Sequence, residues 1–285
     1  DVIARLGSRT NKGAAREALV QYGEMAVRGL RNTLFDDRVE RDIRINAAGT
    51  LSKIQSQSAM NALMAGLLEE DRVLRFQVIL AIKEMSRRFV ELKIDREIVE
   101  SAILSDARLY CHRLAMFFAL FGAGEKFSGI DDSLLYHALR ESMDRVVERI
   151  TWLLGLIYPD QDIGRAWSGL KSPDPRQRAH AIELLDNLLA GDLKKYVFPI
   201  FSDGQPDQRL RAALNALGIS AMDSDAALRG LLAQNDRWLI AATIWEIGIR
   251  KLGRWVPAIA GLTGSDDPLL RETASRVVEG VGSHG

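Results

Sequence analysis

The chain has 285 residues, 47% of them hydrophobic and 27% charged, a balance that excludes a disordered chain and leaves ample material for a core. Lysine plus arginine equals aspartate plus glutamate at 38 each, which argues against a dedicated nucleic-acid binder, because such proteins carry a basic excess. A single cysteine, Cys111, excludes an internal disulfide framework, and no apolar run approaches the roughly 20 residues of a spanning helix.

No signal peptide is visible, so the cytoplasm is the expected compartment. The chain opens on Asp1 rather than Met, which predicts that it is a piece of something longer.

Taken in chain order, the elements repeat. "GAAREALVQYG", around Arg16, is the first copy. An acidic residue four before an arginine follows at Glu40 and Arg44, then at Asp71 and Arg75. Next come "SDARLYCHRLAMFFAL" and "SMDRVVERITWLLGL", which keep the hydrophobic texture but blur the signature. The pattern returns at Asp174 and Arg178, at Asp207 and Arg211, and at Asp267 and Arg271. Asp236 falls on the same grid with Ile240 in place of the arginine. Intervals are about 30 residues or multiples of that, giving about eight or nine units.

Each unit reads as two helices. The first is short and apolar, as in "AMNALMAGLLEED" and "WVPAIAGLTGSDD"; the second begins at the acidic residue, as in "DPRQRAHAIELLDNLL". Apolar spacings of three and four are helical, and strand alternation is absent. Asp174 and Asp267 stand where N-caps belong, each with proline at the first helical position. Gln177 would complete a capping box with Asp174. Gly23, Gly191, Gly218 and Gly248 are expected near helix ends. Helix pairs at this period predict an all-α fold, an α-solenoid in which each unit buries its apolar face on its neighbours.

The acidic-x-x-x-Arg signature followed by small and aliphatic residues, as in "RINAAGTL" and "RAALNALG", resembles short bacterial HEAT repeats. That resemblance implies one right-handed solenoid domain over residues 1–285, irregular at about 88–140. A second likeness covers Arg149 to Leu189, "RITWLLGLIYPDQDIGRAWSGLKSPDPRQRAHAIELLDNLL". It is similar to the helical-repeat region of some bacterial membrane proteins, where it follows a domain like the ATP/ADP carriers. No transporter residue carries over, because no transmembrane segment is present.

Candidate chemistry dissolves largely into helix periodicity. In the helix after Asp174, Ala179, Ile182, Leu185 and Leu189 form one apolar stripe; Ala181, Leu184 and Leu188 form another. Arg176, His180, Glu183 and Asn187 fall on the remaining face, a solvated strip or a partner-binding one. Each repeat arginine is expected to reach the acidic residue of the next unit and brace the stack. Trp238 and Trp245, two turns apart on one helix, are either packing residues or a partner hot spot. The histidines His112, His137, His180 and His284 are scattered singly, without metal-ligand spacing. "FGAGEKFSG" at 121–129 lacks the ending and preceding strand of a phosphate loop and reads as a connection between helices. No nucleophile signature, catalytic residue, metal or cofactor is expected.

The expected function is a non-catalytic scaffold presenting a concave groove to a protein partner, with nucleic acid disfavoured and no membrane insertion by this segment. Two alternatives stand beside it. One is a cytosolic regulatory module of a nucleotide-carrier-like membrane protein. The other is an enzyme on the same fold, a DNA-repair glycosylase or a bilin lyase.

Overall fold

A computed structural model describes residues 2–69, 71–122, 133–159, 161, 163–201, 208, 211–212, 214–215, 218 and 222–282. The fold is all-α, and no strand occurs among the described residues. The chain divides into two compact units, Asp1–Ser105 with Arg149–Ala181, and Asp106–Glu148 with Ile182–Gly285.

The first unit opens with α1 (Lys12–Tyr22), α2 (Glu24–Phe35), α3 (Arg41–Leu51), α4 (Gln57–Ala65) and α5 (Arg72–Arg88). Helix α2 buries Ala26, Val27, Leu30 and Leu34, a stripe at helical spacing. Helix α3 packs on both α2 and α5, and α4 also packs on α2 and α5. The small side chains of Ala47 and Ala48, both fully buried, let α3 sit close between its neighbours. Gly23, with φ of 55°, turns the chain sharply between α1 and α2.

Two long helices follow, α6 (Arg96–Phe121) and α7 (Leu134–Ile157). Asp106 and Asp144 lie inside them rather than at helix starts, and Asp106 is buried. No Gly or Pro interrupts α6, and its apolar positions continue at three and four from Val99 through Leu120, so nothing ends the helix at the acidic residue. Cys111 is fully buried in α6.

Then come α8 (Ile163–Leu170), α9 (Pro175–Leu188) and α10 (Gly191–Phe201). The second unit is completed by α11 (Ser224–Leu232), α12 (Arg237–Ile249), the short α13 (Val256–Ala260) and α14 (Pro268–Gly282). Its core joins Met116, Leu120 and Leu139 to Leu228, Leu231, Ile244 and Ile247. Helix α12 packs against α11 and α14. Gly248 is the penultimate residue of α12, near the helix end as expected, and a β-carbon there would lie 2.8 Å from a methyl of Val277 on α14. Its role is close helix contact. Gly191 and Gly218 carry positive φ, 53° and 64°.

Among the described residues, no helix is long and apolar enough to cross a membrane.

Candidate functional site

The repeated acidic residues act first as helix caps. Asp71 accepts from the N–H groups of Val73 and Leu74 at 3.0 and 3.2 Å. Asp236 does the same for Trp238 and Leu239 at 3.2 and 3.4 Å. Asp174 accepts from Arg176 N–H at 2.9 Å, and Asp267 from Leu269 N–H at 2.9 Å. Glu40 precedes α3 but makes no side-chain cap. Asp207 lies outside the described residues; Arg211 is helical and exposed.

The box around Asp174 differs from the expected one. Its partner is Ser172, whose hydroxyl accepts from the Asp174 N–H at 3.2 Å. Arg178 closes the loop by donating to the Ser172 carbonyl at 2.8 Å. The same construction recurs at the C-terminal repeat: Ser265 accepts from Asp267 N–H at 3.2 Å, and Arg271 donates to Ser265 carbonyl at 2.7 Å. Ser-x-Asp-Pro-x-x-Arg is therefore one local device that uses serine, cap and arginine together.

Two of the ion pairs between successive units come from the arginine that directly follows the acidic residue. Arg41, the residue after Glu40, donates to Asp71 thirty residues on, at 2.5 Å. Arg237, the residue after Asp236, reaches Asp267 at 3.5 Å. Arg44, by contrast, is buried, donates to Leu34 carbonyl at 2.8 Å, and pairs with Asp37 at 3.0 Å and Glu69 at 3.1 Å. The Glu69 contact is an ion pair without hydrogen-bond alignment, since that guanidinium nitrogen has no hydrogen-bond partner. Arg41 is the first residue of α3, and Arg44 lies three residues, about 4.5 Å, further along the axis. Arg75 is likewise buried.

Burial would raise the Asp71 carboxyl, but the Arg41 bond and the two backbone N–H donors outweigh it and hold it below its ordinary value.

Arg176, His180, Glu183 and Asn187 are all exposed along α9. Arg176 and His180 belong to the first unit, Glu183 and Asn187 to the second. The apolar side is narrower than the two expected stripes: Ala181, Leu185 and Leu189 are buried, Ile182, Leu184 and Leu188 half-buried, and Ala179 exposed. The period assigns faces correctly but not how much of each a neighbour covers.

Trp238 and Trp245 lie on one face of α12, each 40% exposed, and Ile249 continues the face at 56%. The rest of α12 is largely apolar and buried, through Leu239, Ile240, Ala242, Ile244 and Ile247, with Thr243 and Glu246 buried among them. A helix so largely apolar is normally buried all round; this one leaves two indoles partly in solvent. The remaining tryptophans differ. Lys83 lies 4.9 Å over Trp152, Lys171 4.2 Å over Trp167, and Arg229 5.9 Å over the buried Trp255. Among the described residues, no cation covers Trp238 or Trp245.

The same helix carries a buried carboxylate. Glu246 accepts from Ser133 hydroxyl at 2.9 Å and from Arg250 at 2.8 Å, and it is 4% exposed. Neither Ser133 nor this network was evident in the sequence; a glutamate amid "IWEIG" is the only signal.

Among the described residues, no group of three or more His, Cys, Asp or Glu is placed to hold a metal ion. His112, His137 and His180 are each exposed on separate helices, and His284 lies outside the described residues. Of the 121–129 stretch only Phe121, ending α6, and Gly122 are described. Comparison with protein-family models gives no matching family, and comparison with curated proteins gives no matching relative.

Proposed function

We propose that the chain is a non-catalytic scaffold of stacked HEAT-like helix pairs that docks a protein partner, with Trp238, Trp245 and Ile249 as its anchor. The observation that carries this reading is the exposed aromatic face of α12. Indoles give large, rigid contact area, and interface hot spots are enriched in Trp for that reason. The stacked reading draws on α2 and α4 packing on one another while α3 packs on α5, the pattern of neighbouring helix pairs. It also draws on the thirty-residue interval between Arg41 and Asp71.

The test is site-specific cross-linking. A photoreactive phenylalanine analogue replaces Trp245 in one sample and the exposed Arg28 in another. One protein adduct specific to position 245 is the expected result. No adduct at 245, or the same adducts from both positions, contradicts the reading.

A further inference from the structure

A second surface of the first unit has a definite chemistry. A cavity of about 580 Å³, open to solvent, is lined by Leu80, Lys83, Glu84, Arg87 and Arg88 of α5 and by Trp152 of α7. The α5 residues fall at helical spacing on one face. Its apolar floor is Leu80 and the half-buried Trp152 indole, whose ring meets Phe76 edge-on at 5.4 Å between centroids. Lys83 lies 4.9 Å over that indole, so its ammonium is held beside the floor. Arg87 and Arg88 stand exposed on the rim. Among the described residues, none of these three cations has a carboxylate within ion-pair distance.

Two positive charges at the end of α5 also offset its helix dipole, which would favour them without any ligand. That effect fades beyond the last turn and leaves Lys83, its place on the indole and the cavity unaccounted for. We infer that this cavity docks an acidic segment of a partner protein, an apolar side chain on Leu80 and Trp152 with flanking carboxylates on Lys83, Arg87 and Arg88. This rests on the scaffold reading and adds the chemistry of one partner segment. The open shape suits a chain passing across rather than an enclosed small ligand. Glu84, on the same wall, accepts from the Ser52 hydroxyl at 3.5 Å; the apolar floor takes a side chain, which favours a peptide over a phosphate backbone.

The experiment titrates the full chain against fluorescein-labelled short peptides that share a central Leu-Phe pair and differ in flanks, acidic, uncharged or basic. Fluorescence anisotropy is the readout. Acidic flanks should bind about tenfold tighter than uncharged ones, and Arg87→Glu with Arg88→Glu should transfer the preference to basic flanks. Both arginines are exposed, and an unchanged circular-dichroism melt confirms that the variant folds. Equal binding of all three peptides, or binding of none, overturns the proposal. So does an acidic preference that survives charge reversal, and so does a short DNA duplex that outcompetes the acidic peptide and needs Arg87 and Arg88. If the peptides fail while cross-linking through position 245 succeeds, only the cavity assignment falls; if both fail, the scaffold reading falls too.

Discussion

Arg41 Nε donates to the Asp71 carboxylate at 2.5 Å across thirty residues of sequence, and Arg237 faces Asp267 across the same interval at 3.5 Å. In each pair the acid is the N-cap of one helix and the arginine the first residue of the helix one repeat earlier. The pair couples two helix starts that neither helix could align alone. Arg41 is 59% exposed and Asp71 18%, so screening keeps its strength modest. Asp71→Ala should cost about 1.5 kcal/mol, cap and pair together, and Arg41→Ala about 0.5 kcal/mol. A double-mutant cycle by urea denaturation should give a coupling near 0.5 kcal/mol; a coupling of zero would show that the contact braces nothing.

Acid should weaken the fold through the same residue. The Asp71 carboxyl lies below its ordinary value of 3.8. A depressed folded-state value means stability that is fully present above the ordinary value and lost as pH falls through the folded one. Glu24, bonded by Ser56 and Ser58, and Asp36, bonded by Arg38, shift in the same direction. Thermal midpoints should therefore fall below about pH 4. Asp71→Asn keeps a good cap but loses the charge, and its midpoint should depend less steeply on pH in that range. An unchanged slope would remove Asp71 from the account.

The arginine of Ser-x-Asp-Pro-x-x-Arg holds a loop carbonyl, so Arg178→Ala and Arg271→Ala should each cost about 1 kcal/mol. Arg176→Ala, on the exposed face, should stay within about 0.5 kcal/mol. Equal losses at Arg176 and Arg178 in guanidinium unfolding would contradict this.

These residues also mark what the sequence could and could not reveal. Helix starts were legible because Asp174 with Pro175, and Asp267 with Pro268, satisfy orphan N–H groups and preset the first turn by local chemistry alone. The exposed strip from Arg176 to Asn187 was legible for the same reason, as periodicity is local. The partner of Asp71 was not, because repetition points equally to Arg41 and Arg44, and only the folded structure decides between them. The acid–arginine dipeptides at Glu40–Arg41, Asp71–Arg72 and Asp236–Arg237 were the unused signal. Gly248 falls near the end of α12 as its sequence position indicated, but its close approach to Val277 is visible only once α14 is placed.

Gly248 gives a prediction whose sign is informative. Alanine in a helix interior ordinarily stabilises relative to glycine by about 1 kcal/mol. Gly49 in α3 has nothing within 4 Å of an added β-carbon, so Gly49→Ala should raise the thermal midpoint. At Gly248 the added carbon meets Val277 methyls at 2.8 and 3.1 Å, and β-branched Val277 is stiff. Gly248→Ala should destabilise by about 1–3 kcal/mol. A gain at Gly248 would mean that α12 and α14 are less closely packed.

The central claim is that α12 is a docking face, and its most direct test is affinity. With the protein captured through position 245 in hand, isothermal titration compares the wild-type chain with Trp238→Ala plus Trp245→Ala. Both indoles are 40% exposed, so the double variant should keep most of its stability. Binding should weaken by about 2 kcal/mol or more. An unchanged dissociation constant, in a variant that melts like the wild type, would contradict the claim.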